Sequence, residues 1–150
     1  MRKIAILKKG EITINEILEK MKTDPKIRKC GAIVSFVGQV REEGRDGGKV
    51  IKLIYEHAGE IALNELREIR EEIINKYEVE EVIIYHFVGE LEPLDNTIYI
   101  IVAAKHRKPA FEAAMEALEL VKKKLHIWKK EITDKGEYWI IGDEVVKETR

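Results

Sequence analysis

Positively charged side chains gather at three places in the second half of this sequence. Lys105-His106-Arg107-Lys108 comes first, Lys122-Lys123-Lys124 second and Lys129-Lys130 third. Clustered guanidinium and ammonium groups suit an anion such as a phosphate or a carboxylate: arginine offers a planar fork, lysine a compact point charge. If one hollow collected His106, Arg107, Lys122 and Lys129, it would be a site for such a ligand. Each part also has an ordinary reading. A lysine run is usually a solvated face, and a lone histidine is more often a surface or capping residue.

The elements carrying these residues decide between the readings. Pro109 suits the first position of a helix, where its missing N–H costs nothing. Phe111, Ala114, Met115, Leu118, Val121 and Leu125 then recur at helical spacing. Eleven steps of about 100° bring Lys122 to within about 20° of Phe111, which predicts Lys122 on the apolar seam and Lys123 and Lys124 in solvent. A lysine there either snorkels along its alkyl stem or is partly desolvated, which lowers a lysine pKa. Ile127-Trp128-Lys129-Lys130-Glu131 alternates like a strand.

One hundred and fifty residues suit a single domain, 1–150, that can bury roughly two-thirds of its extended surface. The single Cys30 cannot form a disulfide within the chain. No leader-like segment and no membrane-length apolar run is present, so the expected location is the cytoplasm. A net charge of −1 gives no general pull on nucleic acid or membranes. Charged residues form 37% of the chain and glutamine occurs once, at Gln39, a balance seen in proteins of hyperthermophiles.

Along the chain, 4–7 reads as a short strand. Thr13-x-x-Glu16 is a capping box ahead of Ile14, Ile17, Leu18 and Met21. The run 31–41 reads as a strand with Phe36 and Val40 on one side, and Gly38 marks a bulge or a close backbone approach. Glu42–Lys49, with three glycines, predicts a mobile surface loop, in the first instance a plain hairpin connection and otherwise a lid or a segment ordered by a partner. Strands follow at 50–57, 81–89 and 97–104, the last apolar and central, with a helix at 61–77. Further strands fall near 127–133 and 137–141, ahead of a polar tail. From Val50 the order is β-α-β-β-α-β. The fold class is therefore α+β: a ferredoxin-like core with extra strands and a largely antiparallel sheet, of the alpha/beta-hammerhead type.

Several chemistries are absent. Gly44, Gly47 and Gly48 lack phosphate-loop spacing, and no serine elbow appears. His57, His86, His106 and His126 are far apart in sequence with no metal-site spacing, so no metal and no cofactor is expected. What the residues alone leave open is an anion-handling enzyme or a non-catalytic anion-binding or regulatory module.

The pieces G-A-I-V-S-F-V-G-Q-V-R (31–41), L-I-Y-E-H-A-G (53–59), H-F-V-G-E-L-E-P-L-D (86–95), A-K-H-R-K-P-A-F-E-A (104–113) and K-K-K-L-H-I-W-K-K-E (122–131) together resemble the large, catalytic subunit of molybdopterin synthase. They span nearly the whole chain. The resemblance implies a sulfurtransferase that converts cyclic pyranopterin monophosphate to molybdopterin. Its sulfur would come from the C-terminal Gly-Gly thiocarboxylate of a small ubiquitin-like subunit, and two large subunits would pair in a heterotetramer. It implies Lys122 and Lys129 as catalytic residues. It implies Arg41, Gln39, Val40, His106, Arg107, Lys130, Glu131 and Phe36 as substrate-binding residues. Two positions depart from the pattern: Gln39 replaces a frequent lysine, and His126 replaces a frequent proline.

Overall fold

The structure, a computed structural model, describes residues 1–141 and 144–149. The elements in chain order are β1 (Ile4–Lys8), α1 (Ile14–Met21), β2 (Ala32–Gln39), β3 (Val50–His57), α2 (Glu60–Lys76), β4 (Glu81–Leu91), β5 (Asn96–Ala104), α3 (Arg107–Lys124), β6 (Ile127–Thr133), β7 (Glu137–Ile141) and β8 (Glu144–Thr149). From β3 to β6 this is the expected β-α-β-β-α-β order. The class is α+β as expected, with a largely antiparallel sheet. The strands lie in the spatial order β2-β5-β4-β3-β6-β7-β8, and β1 runs parallel to β4.

Two strands hold the fold together. β5 is the apolar run Thr97–Ala104 with Asn96 added, and it is buried between β2 and β4. β4 is long enough to serve two neighbourhoods. Its first half pairs with β5 and β1, and Gly89–Leu91 pair with β3. Alternation along these strands feeds two cores. Val82, Ile84, Ile100 and Val102 meet α2 and α3 on one face, while Ile83, Phe87, Tyr99 and Ile101 meet Ile17 and Met21 of α1 on the other. α1 begins with the capping box read from Thr13 and Glu16.

The phase of α3 differs from expectation. The helix starts at Arg107 with His106 as N-cap, so Pro109 lies in the third position rather than the first. The buried stripe is Ala110, Ala113, Ala114, Ala117 and Val121. Phe111 and Met115 are each 62% exposed. A helix lying close on a sheet needs small side chains along its contact line, and four alanines supply them. Lys122, which shares the direction of Phe111, is therefore exposed rather than seated on a buried seam.

Two other expectations change. The closing segment, read as a polar tail, pairs with β7 as β8. Glu42–Lys49 is a folded turn: Gly44 N–H donates to the Gly48 carbonyl at 2.8 Å, and Val50 N–H to the Glu42 carbonyl at 2.7 Å. Asp46 and Asp134 fix it to the β6–β7 connection, where the Thr133 hydroxyl donates to Asp46 at 2.6 Å and the Lys49 N–H to Asp134 at 2.9 Å.

Buried Glu81 anchors β1 and α2 to the start of β4. It is 1% exposed. Its carboxylate meets Lys3 at 2.6 Å, Arg70 at 2.7 Å and Lys26 at 3.0 Å. Burial alone would raise its pKa, but the hydrogen bonds of these three cations outweigh that and hold it at about 2.

Candidate active site

The site is built on the pairing of β3 with β6. In this antiparallel ladder Tyr55 stands opposite Lys129, and Leu53 opposite Glu131. Directly opposed residues point to the same side of a sheet, and residues two apart on a strand do likewise. Tyr55, Leu53, Lys129 and Glu131 accordingly line one cavity of about 390 Å³. Lys130 projects to the other face, where its ammonium lies 3.4 Å from Glu137 and 5.6 Å over the Trp139 ring.

The remaining walls come from three directions. The end of β2 and the residues after it bring Phe36, Gln39, Val40 and Arg41. The register slips between Gly38 and Gln39, which is the bulge anticipated from the glycine. A Cβ at Gly38 would stand 2.5 Å from the Thr97 hydroxyl and 2.8 Å from Ile98, so only glycine lets β2 approach β5 this closely. The end of α3 brings Leu118, Val121 and Lys122. The 42–49 turn brings Glu43 and Arg45.

The cavity has two zones. Arg41, Glu43, Arg45 and Lys122 are exposed and form a mostly cationic rim. Deeper lie Glu131 and His86, each 6% exposed, with Tyr55 and Thr97. Glu131 fastens the rim to the floor, since its Oε1 accepts the Arg45 backbone N–H at 2.8 Å. The Tyr55 ring stands edge-on to His86 at 5.0 Å. Burial is the main reason the Tyr55 phenol is pushed up to about 12, with Thr97's hydrogen bond opposing and the Glu131 charge adding. Burial likewise pushes the His86 imidazole down to about 4. Its hydrogen bond to the Phe87 carbonyl opposes this, and the Lys129 and His57 charges reinforce it.

Of the residues singled out in the sequence, Phe36, Gln39, Val40, Arg41, Lys122, Lys129 and Glu131 converge on this cavity. His106, Arg107 and Lys130 do not. His106 and Arg107 sit at the start of α3 and Lys122 near its end, about 22 Å apart at 1.5 Å per residue. A single hollow within one chain that unites all four cationic groups is thereby ruled out. Sequence reasoning passed over Tyr55, His86, Thr97, Glu43 and Arg45. The signal for Tyr55 lay in its phase: Leu53 and Tyr55 alternate on β3 as Lys129 and Glu131 do on β6.

Among the described residues no group of His, Cys, Asp and Glu side chains is assembled to hold a metal ion. No helix among them is long and apolar enough to cross a membrane.

The family model described as MoaE protein matches residues 7–124. A molybdopterin synthase catalytic subunit of Pyrococcus abyssi is 42% identical over 142 residues, covering 94% of this chain and 93% of the relative. Among solved structures, molybdopterin synthase from Staphylococcus aureus superposes with a TM-score of 0.81 at 33% identity, covering 93% of this chain and 98% of the other. A complex of subunits 1 and 2 of molybdopterin-converting factor from Helicobacter pylori superposes with a TM-score of 0.72 at 19% identity, over 91% and 88% of the two chains, a likeness of fold.

Proposed function

Because the chain belongs to the MoaE family, the catalytic subunits of molybdopterin synthase, we propose that its cavity converts cyclic pyranopterin monophosphate to molybdopterin with sulfur from a thiocarboxylated small subunit. The observation that carries this reading is the convergence of Lys122, Lys129 and Arg41 on one cavity. A cavity of about 390 Å³ is within the range for a small heterocyclic ligand.

The roles follow from position. Arg41 offers a planar fork to the phosphate, aided by Arg45 on the same rim. Phe36 and the aliphatic walls flank the ring system, with Gln39, Val40 and Glu131 beside it. Lys122 at the mouth and Lys129 deeper in face the reacting carbons. In each transfer the sulfur of the tail's terminal thiocarboxylate bonds to a side-chain carbon of the substrate as a carbon–oxygen bond at that carbon breaks, the oxygen leaving as water or, where the cyclic phosphate is attached, as the phosphate oxygen when that ring opens. The bond between that sulfur and the tail carbonyl carbon then breaks as water adds, which leaves sulfur on the pterin side chain and a carboxylate on the tail. Addition of water forms an oxyanion, and an ammonium held beside it lowers the barrier. No cysteine of this chain is needed to carry sulfur.

The partner is a small ubiquitin-like subunit whose Gly-Gly end is slender enough to enter past the rim. The Helicobacter pylori relative in fold was solved as a complex of two subunits, which supports such an assembly. His106 and Arg107 contact substrate only if a second copy of the chain presents its α3 start to this cavity. The homodimer is therefore part of the proposal, with one small subunit on each large one and the whole in the cytoplasm. Lys130, on the opposite face, drops out of the substrate contacts. The test is incubation with the pterin precursor and a thiocarboxylated small subunit, with the dithiolene product assayed. A folded protein that yields no product with both partners present refutes the reading.

A further inference from the structure

His86 is a buried polar side chain of the cavity, and its second ring nitrogen has no role so far. Its Nδ1 lies 2.8 Å from the Phe87 carbonyl oxygen. A carbonyl can only accept, so Nδ1 carries the proton and donates. Burial keeps the imidazole neutral, since Lys129 and His57 face it and both disfavour a further positive charge. A neutral ring protonated at Nδ1 leaves Nε2 as a pure acceptor. Among the described residues no protein group donates to that nitrogen. A buried acceptor without a donor is costly, and here it belongs to a cavity wall.

The surroundings restrict what can meet this nitrogen. Tyr55 stacks its ring edge-on to His86 and shares a hydrogen bond with Thr97. Lys129 and Glu131 bring opposite charges to this part of the floor, whereas the rim carries Arg41, Arg45 and Lys122. An anion finds no donor at His86 Nε2, which can only accept. A donor of low charge, such as a ring N–H or an exocyclic amino group, fits there.

We propose that His86 Nε2 accepts a hydrogen bond from an N–H on the heterocyclic edge of the bound substrate, making His86 a specificity-determining residue that reads the ring while the rim reads the phosphate. This deepens the proposed function and rests on it. It gives the floor a task distinct from that of the mostly cationic rim. A buried acceptor built for an N–H rejects ligands lacking that donor far better than apolar walls do.

The test separates ring from phosphate with two probes, the cyclic pterin phosphate and inorganic phosphate, titrated calorimetrically into wild type, His86→Phe and His86→Gln. Phenylalanine keeps the ring volume and removes the acceptor, and glutamine restores a polar group at similar reach. The expected result is a roughly tenfold rise in Kd for the pterin in His86→Phe, the loss of one buried hydrogen bond. Inorganic phosphate should bind all three proteins alike, and His86→Gln should recover part of the pterin affinity. Equal loss of both probes, or unchanged pterin affinity in folded His86→Phe, overturns the inference. Wild type labelled with 15N-histidine gives a reading that does not depend on a variant folding. The His86 Nε2 resonance should shift on adding pterin and stay fixed on adding inorganic phosphate. A pterin that binds without moving it overturns this inference alone, whereas wild type that binds no pterin overturns the proposed function and this inference with it.

Discussion

Tyr55 and Lys129 are opposed across the β3–β6 ladder, and both project into the cavity beneath the end of α3. That pairing fixes Lys129 in depth as well as direction. Its floor neighbours Glu131 and His86 are buried, while Lys122 approaches from the exposed side. The two candidate catalytic lysines thus work from different zones of one cavity. Lys122→Ala and Lys129→Ala are each expected to lose nearly all product formation while circular dichroism stays native. Lys123→Ala and Lys130→Ala, which face solvent and the Trp139 side, should remain close to wild type. Turnover assays on the four variants check this, and near-normal product from folded Lys122→Ala would remove it from the chemistry.

The placement of His106 and Arg107 calls for a different experiment. Arg107→Ala alone is expected to raise the KM for the precursor. If a second copy supplies Arg107, mixing inactive Lys122→Ala with Arg107→Ala should regenerate intact sites. Random exchange of subunits in a dimer would restore up to about a quarter of wild-type turnover. Activity that never exceeds the sum of the separate variants would show that both residues serve the same protomer's site, or that Arg107 serves none.

Acid should weaken the fold through Glu81. Its carboxyl titrates near 4.5 when unfolded and at about 2 in the fold. Its contribution is therefore complete above about pH 4.5, drains as pH falls and is gone below about 2. It amounts to roughly 3 kcal/mol at neutral pH. Urea unfolding from pH 6 down to pH 2 should show this decline, and Glu81→Gln should flatten it while lowering stability at pH 6. An unchanged slope in the variant would assign acid sensitivity elsewhere.

Gly38→Ala tests the close approach of β2 to β5. The new methyl would press on Thr97 and Ile98. A destabilisation of about 1–3 kcal/mol is expected, as for other overpacked sites. Because Thr97 lies on the cavity floor, pterin binding should weaken as well. Thermal melts together with calorimetry distinguish this variant from a surface change that alters neither.

The turn at 42–49 should be protected rather than open. The Arg45 and Gly48 amides donate to Glu131 and Asp46 at 2.8 Å. Slow hydrogen exchange at these two positions in the isolated protein is expected, with faster exchange in Asp46→Ala. Fast exchange at both in wild type would restore the reading of a loop that orders only on binding.

Much of the architecture was legible because apolar alternation and helix caps are local. The bulge at Gly38, the β5 run and the Thr13–Glu16 capping box are all set by neighbours in sequence. The phase of α3 was misread because Phe111 outranks Ala110 in hydrophobicity, whereas contact with the sheet selects for smallness. The floor was missed for another reason. Tyr55, His86 and Thr97 come from three strands, and only pairing across β3, β4 and β5 brings them to one place. Alternation on β6 could have separated Lys129 from Lys130. The lysine cluster read as a unit hid it.

That alternation has a consequence for how the segment can vary. Lys129 and Lys130 carry the same charge and differ by one step along a strand. Inserting or deleting a single residue between His126, whose carbonyl holds the Ala58 N–H, and Lys129 would leave composition almost untouched. It would turn Lys130 or Trp128 toward the cavity and send Lys129 to the far face. Point changes at half-buried positions of β6 that face away from the cavity are tolerable on this account. Changes of length are not, because here the count of residues, rather than their kind, decides which lysine meets the substrate.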